Sequence, residues 1–142
     1  MNKPLKTSRV PNESDLLSLV VPVFNERSML PIFFDHVLPV LASLDIRSEI
    51  VVVDDGSEDG SAKFMKTIIE TKSSIRLVKL SRNFGKEAAV TAGLEHARGD
   101  AVIVLDADLQ DPPEYISEMG RNLKSGFDVV LIQRRSRVGE SF

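Results

Sequence analysis

Apolar and polar positions along this chain switch repeatedly between two spacings. Short apolar runs, the mark of strands buried on both faces, fall at residues 17–24, 50–53, 75–80, 101–105 and 129–132. Between them, residues 27–44, 60–71, 86–97 and 112–125 carry a helical pattern. Gly99 predicts a C-terminal cap for the third helix. Asp111 predicts an N-cap for the fourth, with Pro112 at its first position. Strand and helix in strict alternation predict an α/β domain built on a mostly parallel sheet.

Composition narrows this picture without redirecting it. A chain of 142 residues, 42% hydrophobic and 27% charged, is one soluble domain in size and make-up. We divide it into a flexible N-terminal arm, residues 1–15, and a domain spanning residues 16–142. A net charge of -3 gives no electrostatic reason to expect nucleic acid as a partner. There is no cysteine, which excludes disulfides and thiolate metal sites and fits a reducing, cytoplasmic setting. The longest apolar stretch, residues 16–24, contains Ser18 and Pro22 and is about half a bilayer span.

The chemistry gathers where strands end, which is where parallel α/β sheets bind ligands. The first strand delivers Pro22, Phe24, Asn25 and Glu26, and the second delivers Asp54, Asp55, Gly56 and Ser57. The third delivers Arg82, Asn83 and Gly85; the fifth delivers Arg134 and Arg135. The fourth runs A-V-I-V-L into Asp106, Ala107, Asp108, Leu109 and Gln110. Carboxylates two apart share a side of an extended backbone, and with an amide oxygen they suit a hard divalent cation. Taken singly, many of these residues have simpler roles: Ser57, Asp59 and Ser61 make good helix caps, and Gly56 and Gly60 good turns. Together, acids for a cation and sugar hydroxyls and bases for phosphate have the composition of a nucleotide-sugar site. No G-x-x-x-x-G-K-[ST] is present, and no G-x-G-x-x-G follows the first strand, so nucleotide hydrolase loops and dinucleotide folds are disfavoured.

Four blocks, V-V-P-V-F-N-E-R, V-V-V-D-D-G-S-E-D-G-S, S-R-N-F-G-K-E-A-A-V-T-A-G-L and V-L-D-A-D-L-Q-D-P-P, resemble family 2 glycosyltransferases of the GT-A fold. The last two resemble the polyprenyl-phosphate branch, the dolichol-phosphate mannose synthase and undecaprenyl-phosphate transferase type. The resemblance implies a Rossmann-like nucleotide-binding half, with a mostly parallel sheet and helices on both faces. It implies that Pro22, Phe24 and Glu26, then Val53 and Asp55, hold base and ribose, with Asp106 and Ala107 also at the nucleotide. It places metal, Mg2+ or Mn2+, on Asp106, Asp108 and Gln110, and phosphate on Gln110 and Arg134. Asp108 and Arg134 are the expected catalytic residues, and Gly93 with its neighbouring alanines is expected to let a helix pack closely on the sheet.

Proteins of this type are longer, so the chain is expected to be truncated on the acceptor side, with residues 133–142 poorly ordered and transfer weak or absent. The expected activity is inverting transfer of a hexose from UDP- or GDP-hexose to a polyprenyl phosphate, undecaprenyl or dolichyl. The expected place is the cytoplasm or the cytoplasmic face of a membrane, reached through the missing C-terminal part. Two alternatives stay open: a saccharide hydroxyl acceptor, or a non-catalytic fragment that binds nucleotide sugar.

Overall fold

The computed structural model describes residues 15–124, with residues 121–124 described by backbone alone. Strands and helices alternate in the order β1 (Leu16–Val23), α1 (Leu30–Ala42), β2 (Arg47–Asp54), α2 (Ser61–Ile69), β3 (Ile75–Lys79), α3 (Lys86–His96), β4 (Ala101–Val104) and α4 (Glu114–Lys124). Residues 1–14 of the expected arm, the expected strand at 129–132 and the segment 133–142 lie outside the described residues. Asp15, assigned to that arm, is buried at 6% exposure directly before β1.

The strands form one parallel sheet in the order β3-β2-β1-β4. Alternation along β1 and β2 divides the core in two. Leu17, Leu19, Val21 and Val23, with Ile50 and Val52, face α1, α2 and α4. Val20, Val51 and Val53 face α3 on the other side. Helices therefore cover both faces, as the resemblance implied. α1 commits Leu30, Phe33, Phe34, Val37 and Leu41 to the larger core, a stripe at i, i+3, i+4, i+7 and i+11. Burial of each such side chain stabilises by roughly 1.5–3 kcal/mol. α3 packs differently: its buried residues are Ala89 and Gly93, and a Cβ at Gly93 would sit 2.3 Å from Val20 Cγ1. The small residues bring this helix onto the sheet, as expected.

Several boundaries differ from expectation, among them β2, which starts at Arg47 rather than Ile50. α1 starts at Leu30 rather than at Arg27, because the amides of Met29 and Leu30 both donate to the Glu26 carbonyl and close a turn first. Gly99 is not a left-handed cap; α3 ends at His96, and the next residue, Ala97, is extended, ψ 132°. Gly99 is small because its backbone presses on β1, where a Cβ would meet Ser18 Oγ at 2.5 Å and the Leu16 carbonyl at 2.7 Å. α4 starts at Glu114, after Asp111 and Pro112, and the carbonyls of Pro112 and Pro113 accept from Tyr115 and Ile116. Among the described residues no helix is long and apolar enough to cross a membrane.

Pro22 lies in a central strand, where a missing N–H normally costs a ladder bond. Here β4 pairs only with residues Leu17–Val20, and Leu105 donates the last bond to the Val20 carbonyl. Pro22, two residues on, turns the same edge toward space that β4 no longer fills. The opening this leaves between β1 and β4 is where the site lies.

The amino end of the sheet is fastened by a buried carboxylate. Glu49 accepts from the Ser18 hydroxyl at 2.7 Å, from the Arg98 amide at 2.7 Å and from the Arg76 guanidinium at 3.0 and 3.2 Å. Gly99 donates to Ser18 Oγ at 2.8 Å, so one cluster joins β1, β2, β3 and the α3–β4 connection. Burial pushes the Glu49 carboxyl up, but the bonds from Arg98, Ser18 and Arg76 outweigh it and hold the group below its ordinary value. A folded pKa below the unfolded one stabilises fully above the unfolded value, about 4.3, and the gain is lost as pH falls through the folded value. We predict that urea-unfolding stability falls as pH drops below about 4.3, and that Glu49→Gln, less stable at neutral pH, shows a flatter acid limb.

Candidate functional site

The chain runs outward from β1 to β2 and β3, then returns to place β4 on the other side of β1. Strand order therefore reverses between β1 and β4, the position where open α/β sheets bind ligands. A cavity of about 270 Å³ opens there, at the carboxyl ends of the strands. Pro22, Phe24 and Glu26 line it from β1, and Asp55 from β2. Asn83, Gly85 and Lys86 line it from the β3–α3 loop, and Asp106, Ala107 and Asp108 from the segment after β4. Residues far apart in sequence thus meet because each follows a strand of one sheet.

Each wall has a local cause. Asp106 and Asp108 do not continue the strand, as their spacing suggested; β4 ends at Val104 and the chain turns at Ala107 and Asp108. Ala107 is buried at 2% exposure, and Leu109 holds a left-handed φ of 58° while its side chain packs on the larger core. The turn leaves both carboxylates half-buried beside the cavity. Asp55 is 3% exposed, and its two oxygens accept from the amides of Phe84 (2.8 Å) and Gly85 (3.1 Å). The next residue, Gly56, has φ 74°, and a Cβ there would lie 2.4 Å from backbone atoms of Arg82 and Asn83. The Asp55-Gly56 pair therefore fixes the β3–α3 loop against the end of β2.

The remaining expected site residues stand elsewhere. Val53 is fully buried among Val20, Val51 and Ala89 on the α3 side and does not itself line the cavity, although Ala89 does. Gln110 is exposed and does not line the cavity; its amide donates to Asp108 Oδ1 at 3.1 Å. Arg134 lies outside the described residues. Asn83, which the sequence placed at the end of the third strand, lines the cavity, and so does Lys86 at the start of α3. The signal that could have found Lys86 is its position just past the open end of β3, beside the residues that follow β1, β2 and β4.

The cavity is negative. Burial, then the carboxylates of Asp108, Asp59 and Asp106, push the Glu26 carboxyl above its ordinary value. Lys86 Nζ, 2.7 Å from Asp106 Oδ2, is the cation paired there. Like charges held together favour a bound cation, so the donor set fits a hard divalent ion on Asp106 and Asp108. Among the described residues no three Asp, Glu, His or Cys side chains converge enough to hold a metal by themselves. An ion at this place would complete its shell with water or with oxygens of a ligand phosphate.

This architecture, a nucleotide-binding α/β half with an acidic triplet after its fourth strand, is that of GT-A glycosyltransferases. The family model "Glycosyl transferase family 2" matches residues 18–142, and the chain belongs to that family. It is 47% identical over 126 residues to the uncharacterized glycosyltransferase sll0501 of Synechocystis sp., covering 89% of this chain and 40% of that protein. It is 42% identical to the undecaprenyl-phosphate 4-deoxy-4-formamido-L-arabinose transferase of Aeromonas hydrophila, covering 86% and 38%. Among solved structures, the mannosyltransferase PcManGT from Pyrobaculum calidifontis, in complex with GDP-Man and Mn2+, superposes with a TM-score of 0.61 at 30% identity, over 75% of this chain and 31% of that one. The chain thus spans about two-fifths of the length of the curated relatives it matches.

The Asp55 contacts give a test of the site's frame. Asp55→Ala should cost at least about 1.5 kcal/mol, the low end for a hydrogen bond to a charged group. Amide hydrogen exchange at Phe84 and Gly85 should accelerate more than exchange in the strands.

Proposed function

We propose that the protein to which this chain belongs transfers a hexose from UDP- or GDP-hexose to a polyprenyl phosphate. The observation that carries this is the acidic cavity at the divergence of β1 and β4, lined by Glu26, Asp55, Asp106 and Asp108. The relatives named for undecaprenyl-phosphate transfer support the acceptor class, and the GDP-Man and Mn2+ complex supports the donor and cation.

In this reading Pro22, Phe24, Glu26 and Asp55 face base and ribose, with Val53 behind them and Asp106 and Ala107 at the nucleotide's inner side. Mg2+ or Mn2+ bound by Asp108, with Asp106, would offset the charge that builds on the diphosphate leaving group. Gln110, whose backbone N–H donates to the Asp108 carboxylate, helps orient that group and joins in metal and phosphate binding. The sugar carbon passes through an oxocarbenium-like state. A phosphate monoester acceptor, with a second pKa of about 6, is already anionic at neutral pH and needs little help from a base. It does need cations to approach an anionic donor, which is the role we give Arg134 and Arg135. With such an acceptor we expect the protein to act at a membrane surface, on its cytoplasmic face. A saccharide acceptor is the second reading, and it would need a general base.

Two outcomes test the donor half. Asp108→Asn should remove metal-dependent binding of nucleotide sugar, at least about tenfold, while thermal unfolding stays close to wild type; unchanged metal-dependent affinity contradicts the assignment. UDP or GDP alone should bind nearly as well as the matching donor sugar, because the contacts assigned to Glu26 and Asp55 are to the nucleoside. The acceptor half is tested by labelled transfer to undecaprenyl phosphate against a saccharide, in a polypeptide of the relatives' length.

A further inference from the structure

Ser57, Asp59 and Ser61 are sound helix-capping residues by type. The N-cap of α2 is nevertheless Gly60, which has no side chain to offer. The three side chains reach across to the β1–α1 loop and take three successive amides. Asn25 donates to Ser57 Oγ at 2.9 Å, Glu26 to Ser61 Oγ at 3.2 Å and Arg27 to Asp59 Oδ2 at 2.9 Å. Asn25 returns a bond, its Oδ1 accepting from the Glu58 amide at 2.9 Å. Asp59 Oδ1 meanwhile accepts from the Ser61 hydroxyl (2.6 Å) and amide (3.0 Å), orienting Ser61. The Arg27 guanidinium lies 4.4 Å over the Phe64 ring of α2, closing the same contact from the other side.

The loop needs this support. Asn25 holds a left-handed φ of 51°, a conformation that asparagine tolerates but does not choose by itself. That kink turns Glu26 back to line the cavity between Phe24 and the acidic triplet. We infer that Asp59, with Ser57 and Ser61, is a positioning group for Glu26: it fixes the backbone from which the Glu26 carboxylate meets the nucleotide. This rests on the nucleotide role proposed for Glu26. It gives the S-E-D-G-S segment a part in substrate binding although it does not line the cavity itself.

Electrostatics alone would give the opposite sign. Asp59 is one of the carboxylates that raise the Glu26 pKa, so removing it makes the cavity less negative and should favour an anionic ligand. Positioning predicts a loss. We would titrate UDP and GDP, each with Mg2+, into the 142-residue chain by calorimetry. Asp59→Ala should bind the preferred nucleotide about three- to tenfold more weakly, within the range of one ordinary hydrogen bond. Asp59→Asn, which keeps an acceptor oxygen, should recover most of the affinity. In a Glu26→Ala background, Asp59→Ala should have no further effect. Amide exchange at Glu26 and Arg27 should accelerate in Asp59→Ala, and if that variant does not fold, Ser57→Ala and Ser61→Ala give the same reading. Unchanged or tighter binding by Asp59→Ala, or losses that add fully to those of Glu26→Ala, overturn the inference while leaving the nucleotide site standing. A Glu26→Ala variant that binds as wild type overturns the role of Glu26 and the inference with it.

Discussion

The site depends on one inequality in the sheet: β1 has two parallel partners, and they differ in length. β2 follows it along its whole course, from Leu16 opposite Arg47 to Val23 opposite Asp54. β4 leaves it after Val20. Beyond that point one edge of β1 has no partner, and a proline can stand there without losing a bond. Had β4 kept pace, its backbone would occupy the space into which Pro22, Glu26 and the acidic triplet now open. The apolar interior of the sheet and the polar cavity above it are consecutive parts of the same strands.

Polar groups are buried at both ends of this sheet, for different purposes. At the amino end Glu49 is fully engaged by Ser18, Arg76 and Arg98, and its charge is stabilised. At the carboxyl end Asp55 is likewise engaged by backbone amides, while Glu26, Asp106 and Asp108 face one another and Glu26 resists ionisation. The first arrangement needs nothing more. The second is left electrostatically incomplete, with Lys86 paired to one of the acids, and a bound cation with its phosphate would relieve it. Binding and folding are thereby separated within one small sheet.

Much of this was legible in the sequence. The apolar runs in β1 and β2 are buried on both faces, and such runs announce themselves without tertiary information. The D-A-D triplet was found because it follows such a run. What escaped were features set by contacts between distant loops. Gly99 carries no sign that it presses on Ser18, and nothing local separates it from an ordinary cap. Ser57, Asp59 and Ser61 have side chains that cap helices and bind neighbouring loops equally well, and only the folded pairing of the two loops decides which. Val53 matched a motif and alternation puts it on the face that Asp55 shares, but it is buried beneath the cavity with Val20, Val51 and Ala89 rather than in its lining.

The central claim is that a nucleotide diphosphate and its cation bind where β1 and β4 part. Paramagnetic broadening of backbone amide signals by a Mn2+–nucleotide complex tests it most directly, since the effect marks distance from the ion whatever the chemistry. With UDP or GDP present, substoichiometric Mn2+ should broaden Asp106, Ala107, Asp108 and Glu26 first, and leave the groove between Ile69, Arg76 and His96 sharp. Broadening centred on that groove, or spread evenly over the surface, would contradict the account.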